Sequence, residues 1–342
     1  MITTFGEIML RISPVSSGER IAQAGTFRIE PGGSESNVAI ALSNLGMETA
    51  FVTCLPNNEL ALKIVQQLNK FSVSTSNIVT KGDRLGVYWT ETGSGPRNSF
   101  VIYDREHSAF SESNFMDYHW AEIFSNISWF HFSGISPAVS FSVAELLQKV
   151  VDFCPCPYSV DLNFREKLWS WLNKDKEKIN KVMTGLCSKA TLIAGNETDF
   201  QDIFGLSLKG YDKDSLFAAI AERSFLLFPA TRYIAISSRE SVSATINNWS
   251  GYLFVKGDEQ FAYKGMDYCL DSIYDRVGTG DSFVAGIIFG LAKAGHFSHQ
   301  QTVDFAVTLS ALNHTTIGDA SNFNESDVLR TMHNKGSGRI VR

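Results

Sequence analysis

The chain has 342 residues, 44% hydrophobic and 19% charged, the balance of a globular protein with a sizeable core. Its 30 basic and 36 acidic residues leave a net charge of −6, which argues against non-specific nucleic-acid binding but leaves room for an anionic small molecule. No apolar run approaches the roughly 18–20 residues of a membrane span, "MITTFGEIMLRIS" lacks a signal-peptide layout, and the five scattered cysteines (Cys54, Cys154, Cys156, Cys187, Cys269) read as free thiols, so a cytoplasmic protein without a membrane partner is expected.

In chain order, "MITTFGEIMLRIS" is expected to form a strand that ends in polar residues. "GGSESNVAIALSNLG" (32–46) predicts a glycine turn and then a helix, with Val38, Ala41, Leu42 and Leu45 on one face and Gly46 as its stop. "TAFVTCL" follows as a strand and "NELALKIVQQLNKF" as a helix, an alternation that favours a parallel sheet covered by helices. The rhythm breaks at 86–105, where two β-rich runs flank "GSGPRN" like a hairpin. Residues 11–31 are neither clearly helical nor core-like. These two excursions, 11–31 and 86–105, predict a small β-lid on an α/β core made of 1–10, 32–85 and 106–335.

The alternation then resumes. Strands are expected at "ISWFHFSG" (127–134), "YSVDLNF" (158–164), "TLIAG" (191–195) and "YIAISS" (233–238). Helices are expected at "SVAELLQKVVDF", "NKDKEKINKVMTGLC", "NETDFQDIFG" and "LFAAIAERSFLLF". "SATINNW" and "GYLFVKGDEQFAY" read as β-ribbon, a helix is led by Gly280 and Asp281, and two more helices lie around 299–314 and 325–334.

Two glycine motifs carry the functional argument. In "DRVGTGDSF" the simpler reading is capping: glycines make the turn and Asp281 suits the positive end of the helix. The functional reading is an anion site, with the amides of Gly278, Thr279 and Gly280 facing a phosphate and Asp281 beside it as a proton acceptor. The motif is neither a Walker A loop nor a dinucleotide fingerprint, since it lacks the Gly-Lys-Ser/Thr of one and the third glycine of the other. In "PGGSESN" the simpler reading is again a turn before a helix, and the functional one is close approach of a polyol to the bare backbone at Gly32 and Gly33, with Glu35 and Asn37 as hydrogen-bond partners.

Together "GGSESNVAIALSNLG" and "DRVGTGDSFVAGIIFGL" resemble the two signatures of the ribokinase/PfkB carbohydrate kinase family, and the resemblance runs from "FGEIMLRIS" to "IGDASNF". "VYWTE", "FVIYDRE", "FSGISPA" and "VDLNFREKLW" resemble, within it, the 2-keto-3-deoxygluconate kinases. The resemblance implies a ribokinase-like three-layer α/β sandwich with a mainly parallel central sheet and a β-lid. It also implies phosphoryl transfer from ATP, with Mg²⁺, to the terminal hydroxyl of a sugar acid, with Asp281 as base and the Gly278–Gly280 loop as anion hole. Sugar-acid contacts fall by resemblance on Gly33, Tyr88, Tyr103, Arg105, Ile135 and Arg165, and Asp319 closes the pocket. Arginine grips a carboxylate bidentately, which suits Arg105 and Arg165 at predicted strand ends. Nucleotide contacts are expected at Asn196, Ser237, Arg239, Gly278 and Gly280. In "NETD" Asp199 stands where the family carries Glu, and being one methylene shorter it is expected to reach Mg²⁺ through water. "SSRESVSATINN" departs from the family's small residues in that stretch, and the need for a monovalent cation stays open. A neutral-ketose kinase and a sugar- or nucleotide-sensing protein without turnover remain rival readings. The apolar residues Tyr88, Trp89 and Phe100 of the lid predict a homodimer formed through it.

Overall fold

The computed structural model describes residues 1–16, 18–93, 96–206, 210–243, 246–293 and 295–334. The hairpin tip at 94–95, residues 244–245 of the suspected nucleotide stretch, and residue 335 lie outside them. The strands are β1 (Ile2–Phe5), β2 (Met9–Pro14), β3 (Phe27–Gly32), β4 (Thr49–Val52), β5 (Cys54–Leu55), β6 (Val79–Thr80), β7 (Val87–Glu91), β8 (Phe100–Asp104), β9 (Trp129–Ser133), β10 (Tyr158–Asp161), β11 (Leu192–Asn196), β12 (Tyr233–Ser241), β13 (Asn247–Val255), β14 (Ala262–Lys264) and β15 (Tyr268–Leu270). The helices are α1 (Ser34–Asn44), α2 (Glu59–Lys70), α3 (Trp120–Ile123), α4 (Ile135–Ala138), α5 (Phe141–Phe153), α6 (Lys176–Cys187), α7 (Glu197–Phe204), α8 (Lys213–Leu227), α9 (Thr279–Ala292), α10 (His299–Asn313) and α11 (Glu325–His333).

The main sheet runs β14-β13-β12-β11-β10-β9-β1-β4, with β15 also on β13. Its six strands from β12 to β4 are parallel, and β13, β14 and β15 add antiparallel pairs at one edge. Such strands are buried on both faces, so β9 and β11 are runs of buried residues rather than polar alternations. Side chains still alternate between two cores. Ile193 and Ile234 join the helices α5 to α8 on one face. Leu192, Ala194 and Ala235 join α1, α9, α10 and α11 on the other. Helix α9 is buried nearly all round, which explains why its sequence has no polar face. No helix among the described residues is long and apolar enough to cross a membrane.

A separate four-stranded sheet has the order β3-β2-β7-β8. The expected single strand at the N-terminus is therefore two strands in two sheets. The chain leaves the main sheet after Phe5 and re-enters pairing at Met9, because Gly6 packs on the Glu35 carboxylate and Glu7 turns to pair with Arg105. The break sends Arg11 into the small sheet, and its inner face carries Arg11, Tyr88 and Tyr103 side by side. "TAFVTCL" is likewise split, with β5 leaving to pair with β6. The end of "SATINNW" from Asn247 and "GYLFV" join instead in one strand, β13, which crosses Phe283 at Gly251.

Candidate active site

The C-terminal ends of β9, β10 and β11 and the inner face of the small sheet enclose a cavity of about 1150 Å³. Ligands of open α/β sheets bind at such strand ends, where strand order reverses, and β1 with α1 behind it sits at that reversal between β9 and β4. The N-terminus of helix α9 opens on this cavity next to the start of α1 in "PGGSESN".

Helix α9 begins at Gly278, whose φ of 77° lies in the left-handed region, and a side chain there would run into the Asp319 carbonyl. No side chain caps the helix. Its first amides therefore lack both an intrahelical partner and a side-chain cap; glycine makes the turn and Asp281 lies in the first turn, as the simpler reading of "GTGD" has it, but no side chain among the described residues satisfies those amides. Asp281 points away from its own amides. Its Oδ1 accepts from Ser34 Oγ at 2.7 Å and its Oδ2 from Asn37 Nδ2 at 2.7 Å, both on α1. The carboxylate is buried, and desolvation outweighs these two bonds to push its pKa up to about 6. Helix α1 also starts uncapped, at Gly33, where a side chain would strike the Glu7 carbonyl.

A buried ionic cluster ties the small sheet to this loop. Arg11 reaches Asp275 at 2.6 Å and Asp319 at 2.5 Å. Burial opposes its charge, and the two carboxylates outweigh burial and raise its pKa. Asp275 Oδ1 accepts from the amides of Arg276 and Val277 at 2.8 and 3.1 Å, which sets the turn before Gly278. Asp319 also accepts from the Tyr88 hydroxyl. Neither Arg11 nor Asp275 stands out in the sequence, because nothing local marks an arginine in a strand as the partner of acids some 260 to 310 positions away.

Of the residues expected at the site, Asp281, Gly278, Thr279, Gly280, Gly33, Asn37, Tyr88, Tyr103, Arg105, Ile135, Arg165, Asp319, Asn196, Ser237, Arg239 and Asp199 line this one cavity. Several arrive with different duties. Glu35 is not on the wall: it is fully buried beneath it, where Oε1 accepts from the Ser133 amide and the Ser133 and Ser136 hydroxyls, and burial raises its pKa to about 7. Gly32 also sits behind the wall, packed on the Asp319 carboxylate and the Tyr88 hydroxyl. Arg105 gives its charge first to Glu7, through Nε at 2.8 Å and through Nη2, while Ser108 completes that carboxylate. Arg165 is exposed, and among the described residues its side chain bonds only the carbonyl of its neighbour Phe164, at 2.9 Å. Neither arginine is thus an unpaired buried charge, because Arg105 is paired and Arg165 solvated.

Asn196 and Asp199 form a reciprocal capping box on α7. Asp199 accepts from the Asn196 amide at 3.0 Å and the Phe164 amide at 3.2 Å, one donor on each of its oxygens. The predicted strand 158–164 stops at Asp161, since Asn163 takes a φ of 36°. That bend turns Asn163 back toward Ser34 and Asp161, two cavity residues the motifs did not mark. Arg276 is a further wall residue, held by the Ser243 carbonyl and Asn247 near Arg239.

The arrangement offers a buried carboxylate with a raised pKa, a free helix N-terminus beside it, and arginines on the walls. It suits proton abstraction from a hydroxyl next to a bound phosphate. Comparison with known proteins agrees. The chain is 29% identical to a 2-dehydro-3-deoxygalactonokinase of Haloferax volcanii, over 98% of each chain. It is 25% identical to a 2-dehydro-3-deoxygluconokinase of Bacillus subtilis, over 97% of each. A crystal structure of 2-dehydro-3-deoxygluconokinase from Thermotoga maritima is 37% identical and superposes with a TM-score of 0.90, over 97% of this chain and 99% of that one. The sequence pattern of the pfkB family carbohydrate kinases matches residues 1–225, two thirds of the chain, and with a ribokinase-like fold around the cavity this protein belongs to that family.

Proposed function

We propose that the protein transfers the γ-phosphoryl group of ATP to the terminal hydroxyl of 2-dehydro-3-deoxy-D-gluconate. The observation that carries this reading is the setting of Asp281, buried, held by Ser34 and Asn37, and beside an uncapped helix N-terminus. In the reaction the hydroxyl oxygen bonds the γ-phosphorus, the bond to the bridging oxygen breaks, and ADP leaves with that electron pair. Asp281 takes the hydroxyl proton, and its raised pKa makes it a better acceptor than a solvated carboxylate. The amides of Gly278, Thr279 and Gly280 and the positive end of α9 stabilise the charge on the transferred group. Arg165 has donors left over for the substrate carboxylate or the phosphates. The inner face of the small sheet, with Tyr88 and Tyr103, covers the acceptor and keeps water from competing for the phosphoryl group.

Mg²⁺, when bound with the nucleotide, neutralises phosphate charge. Among the described residues no group of three or more His, Cys, Asp or Glu side chains could cage it. The wall does carry carboxylates, and one or two of these with phosphates and water are what Mg²⁺ ordinarily takes. The outer face of the small sheet aligns Ile29, Ile12, Trp89 and Ile102 in one row, with Ile29 46% and Ile102 44% exposed and Phe100 nearby at 54%. Such an apolar row supports a homodimer through this face, and a monomeric mass in solution overturns it.

The test of the main reading is ADP release with 2-dehydro-3-deoxy-D-gluconate, its C4 epimer 2-dehydro-3-deoxy-D-galactonate, fructose and ribose. The keto-deoxy acids are expected to lead in kcat/KM by orders of magnitude, and a win for a neutral sugar sinks the substrate assignment. The epimer is included because one relative, at 29% identity, is named for it.

A further inference from the structure

None of the five cysteines lines the cavity, and the kinase reading uses none of them. Three stand alone. Cys54 and Cys187 are buried, at 1% and 0% exposure, and Cys269 is exposed on β15. Cys154 and Cys156 differ. Both are half-buried, and their sulfurs lie 3.8 Å apart. They sit in the short connection between α5 and β10, and β10 meets the cavity only at its other end, at Asp161.

The sequence "CPCP" makes this pair. Pro155 has no amide hydrogen to continue α5 and disfavours helical backbone in the residue before it, so the helix stops at Phe153 and Cys154 turns to a ψ of 119°. Pro157 fixes the far end, because its carbonyl accepts from the Phe130 amide on β9 at 3.0 Å. Between these anchors the chain bends at Cys156, which brings the two thiols together, and Cys154 Sγ also lies 3.5 Å from the Cys156 carbonyl. At 3.8 Å the sulfurs are in contact, and a small side-chain rotation brings them to bonding distance.

The Cys156 thiol donates to Cys154 Sγ. That bond favours the thiolate on Cys154 and, together with burial, pushes the Cys156 pKa up. The thiolate is the nucleophile of disulfide exchange. A disulfide between residues two apart closes a very small loop, so it gains little from chain entropy and is readily reduced. The pair therefore suits a reversible site rather than a permanent staple.

We infer that Cys154 and Cys156 form a dithiol site that reacts with small disulfides, Cys154 as the attacking thiol and Cys156 as the resolving one. In the first step the Cys154 sulfur bonds one sulfur of the small disulfide and the bond between its two sulfurs breaks. The Cys156 sulfur then bonds the Cys154 sulfur and expels the second thiol. Each departing sulfur leaves with the bonding electron pair and takes up the proton that the attacking cysteine has lost. Two protein thiols are oxidised to one disulfide, and one small disulfide is reduced to two thiols. No step touches the cavity, so the inference stands apart from the kinase reading.

The test uses glutathione disulfide as the probe, with the full-length, folded Cys269→Ser protein so that the exposed lone thiol does not compete. Free thiols are trapped with a maleimide, and the tryptic peptide 150–165, which holds both cysteines of the pair and no other, is weighed. After oxidation it is expected to be two hydrogens lighter, with no maleimide and no glutathione attached. Dithiothreitol is expected to restore both thiols, and Cys54 and Cys187 are expected to stay unreacted throughout. Cys156→Ser in the same background is expected to stall with one glutathionyl group on Cys154, at least about tenfold above the amount that the intact pair retains. A peptide that still takes two maleimides overturns the proposal, as does one that carries glutathione on both cysteines or is linked to a second chain. Closure that occurs only in urea, with Cys54 and Cys187 reacting as well, overturns it too, because the reaction then belongs to the unfolded chain. A Cys156→Ser protein that takes up no glutathione overturns the role given to Cys154.

Discussion

Among the described residues, seven of the helices with eight or more residues begin under a side-chain cap: Asn58 on α2, Ser140 on α5, Asp175 on α6, Asn196 on α7, Asp212 on α8, Ser298 on α10 and Asn324 on α11. Two, α1 and α9, begin uncapped at a glycine, and both open on the cavity. Neither glycine has room for a side chain, because Gly33 faces the Glu7 carbonyl and Gly278 the Asp319 carbonyl. The acid in the first turn of α9, a natural partner for those amides, is held by α1 instead. A cap satisfies orphan amides within the chain and adds about 1 kcal/mol. The two helices that forgo it start at the same cavity, an arrangement suited to a ligand that takes up those amides. Where a local rule fails twice at the same place, function is the economical explanation.

The sharpest way to break this contrast is Asp281→Asn. If Asp281 is the base, kcat falls on the order of 10²- to 10⁴-fold. If it merely suits the helix, turnover survives. Stability gives an opposite sign. The fold holds this carboxyl at a pKa of about 6 against an ordinary 3.8, so it favours the protonated form. The stability tied to that group is present below about pH 4 and lost as pH rises through 6. Asp281→Asn is therefore expected to be no less stable than wild type at pH 7.5, with any advantage shrinking toward pH 4 in thermal melts. The wild-type kcat/KM is expected to rise with pH along a limb near 6, and a flat profile from pH 5 to 8 removes Asp281 from the proton step.

Next in size is the clamp between the small sheet and the loop before α9. Arg11→Met leaves Asp275 and Asp319 as buried acids without their counter-ion, and breaking a buried pair from one side costs about 3–5 kcal/mol. Asp275 sets the turn through the amides of Arg276 and Val277, so kcat is expected to fall along with stability in urea melts. A variant that loses stability but keeps kcat shows that the clamp does not position the anion loop.

Much of the fold was legible because its signals are local. Apolar periodicity placed the helices, and β-rich runs between turns placed the strands of the main sheet. The glycine motifs marked both uncapped helices for the same reason, since each motif is contained within a few residues. What escaped was set by contacts between distant segments. The break between β1 and β2 follows from Glu7 meeting Arg105, and no periodicity announces such a pair. Arg105 and Asp199 line the cavity as expected, but their bonds to Glu7 and to two backbone amides were not visible in the sequence. Glu35 looked like a polyol partner by its place in the motif, and helix phase turned it inward to Ser133 and Ser136. Asp161 passed as one position within the expected strand 158–164, since no periodicity announces the left-handed bend at Asn163 that cuts the strand short.

A smaller change tests whether the free amides themselves matter. A side chain built at Gly280 meets nothing within 4 Å, because it projects into the cavity. Gly280→Ala is thus expected to fold and to gain about 0.5 kcal/mol from better helix propensity. The added methyl stands where an anion must approach the α9 amides, so kcat/KM is expected to fall on the order of 10- to 100-fold. Unchanged kinetics in this variant mean that the phosphoryl group does not approach the helix there.

The smallest effect is the control on the capped side. Asn58 accepts from the amides of Leu60 at 3.1 Å and Ala61 at 3.0 Å, on a helix whose start does not line the cavity. Asn58→Ala frees those amides to water and is expected to cost about 1 kcal/mol in chemical denaturation. Kinetic constants are expected to stay within twofold, because freed amides at that surface gain only water. The pairing of the two variants carries the logic: Asn58→Ala exposes amides and loses stability without changing turnover, whereas Gly280→Ala adds stability and loses turnover. If both moved activity in the same direction, the distinction between a cap that completes the fold and a bare terminus that completes the site would collapse.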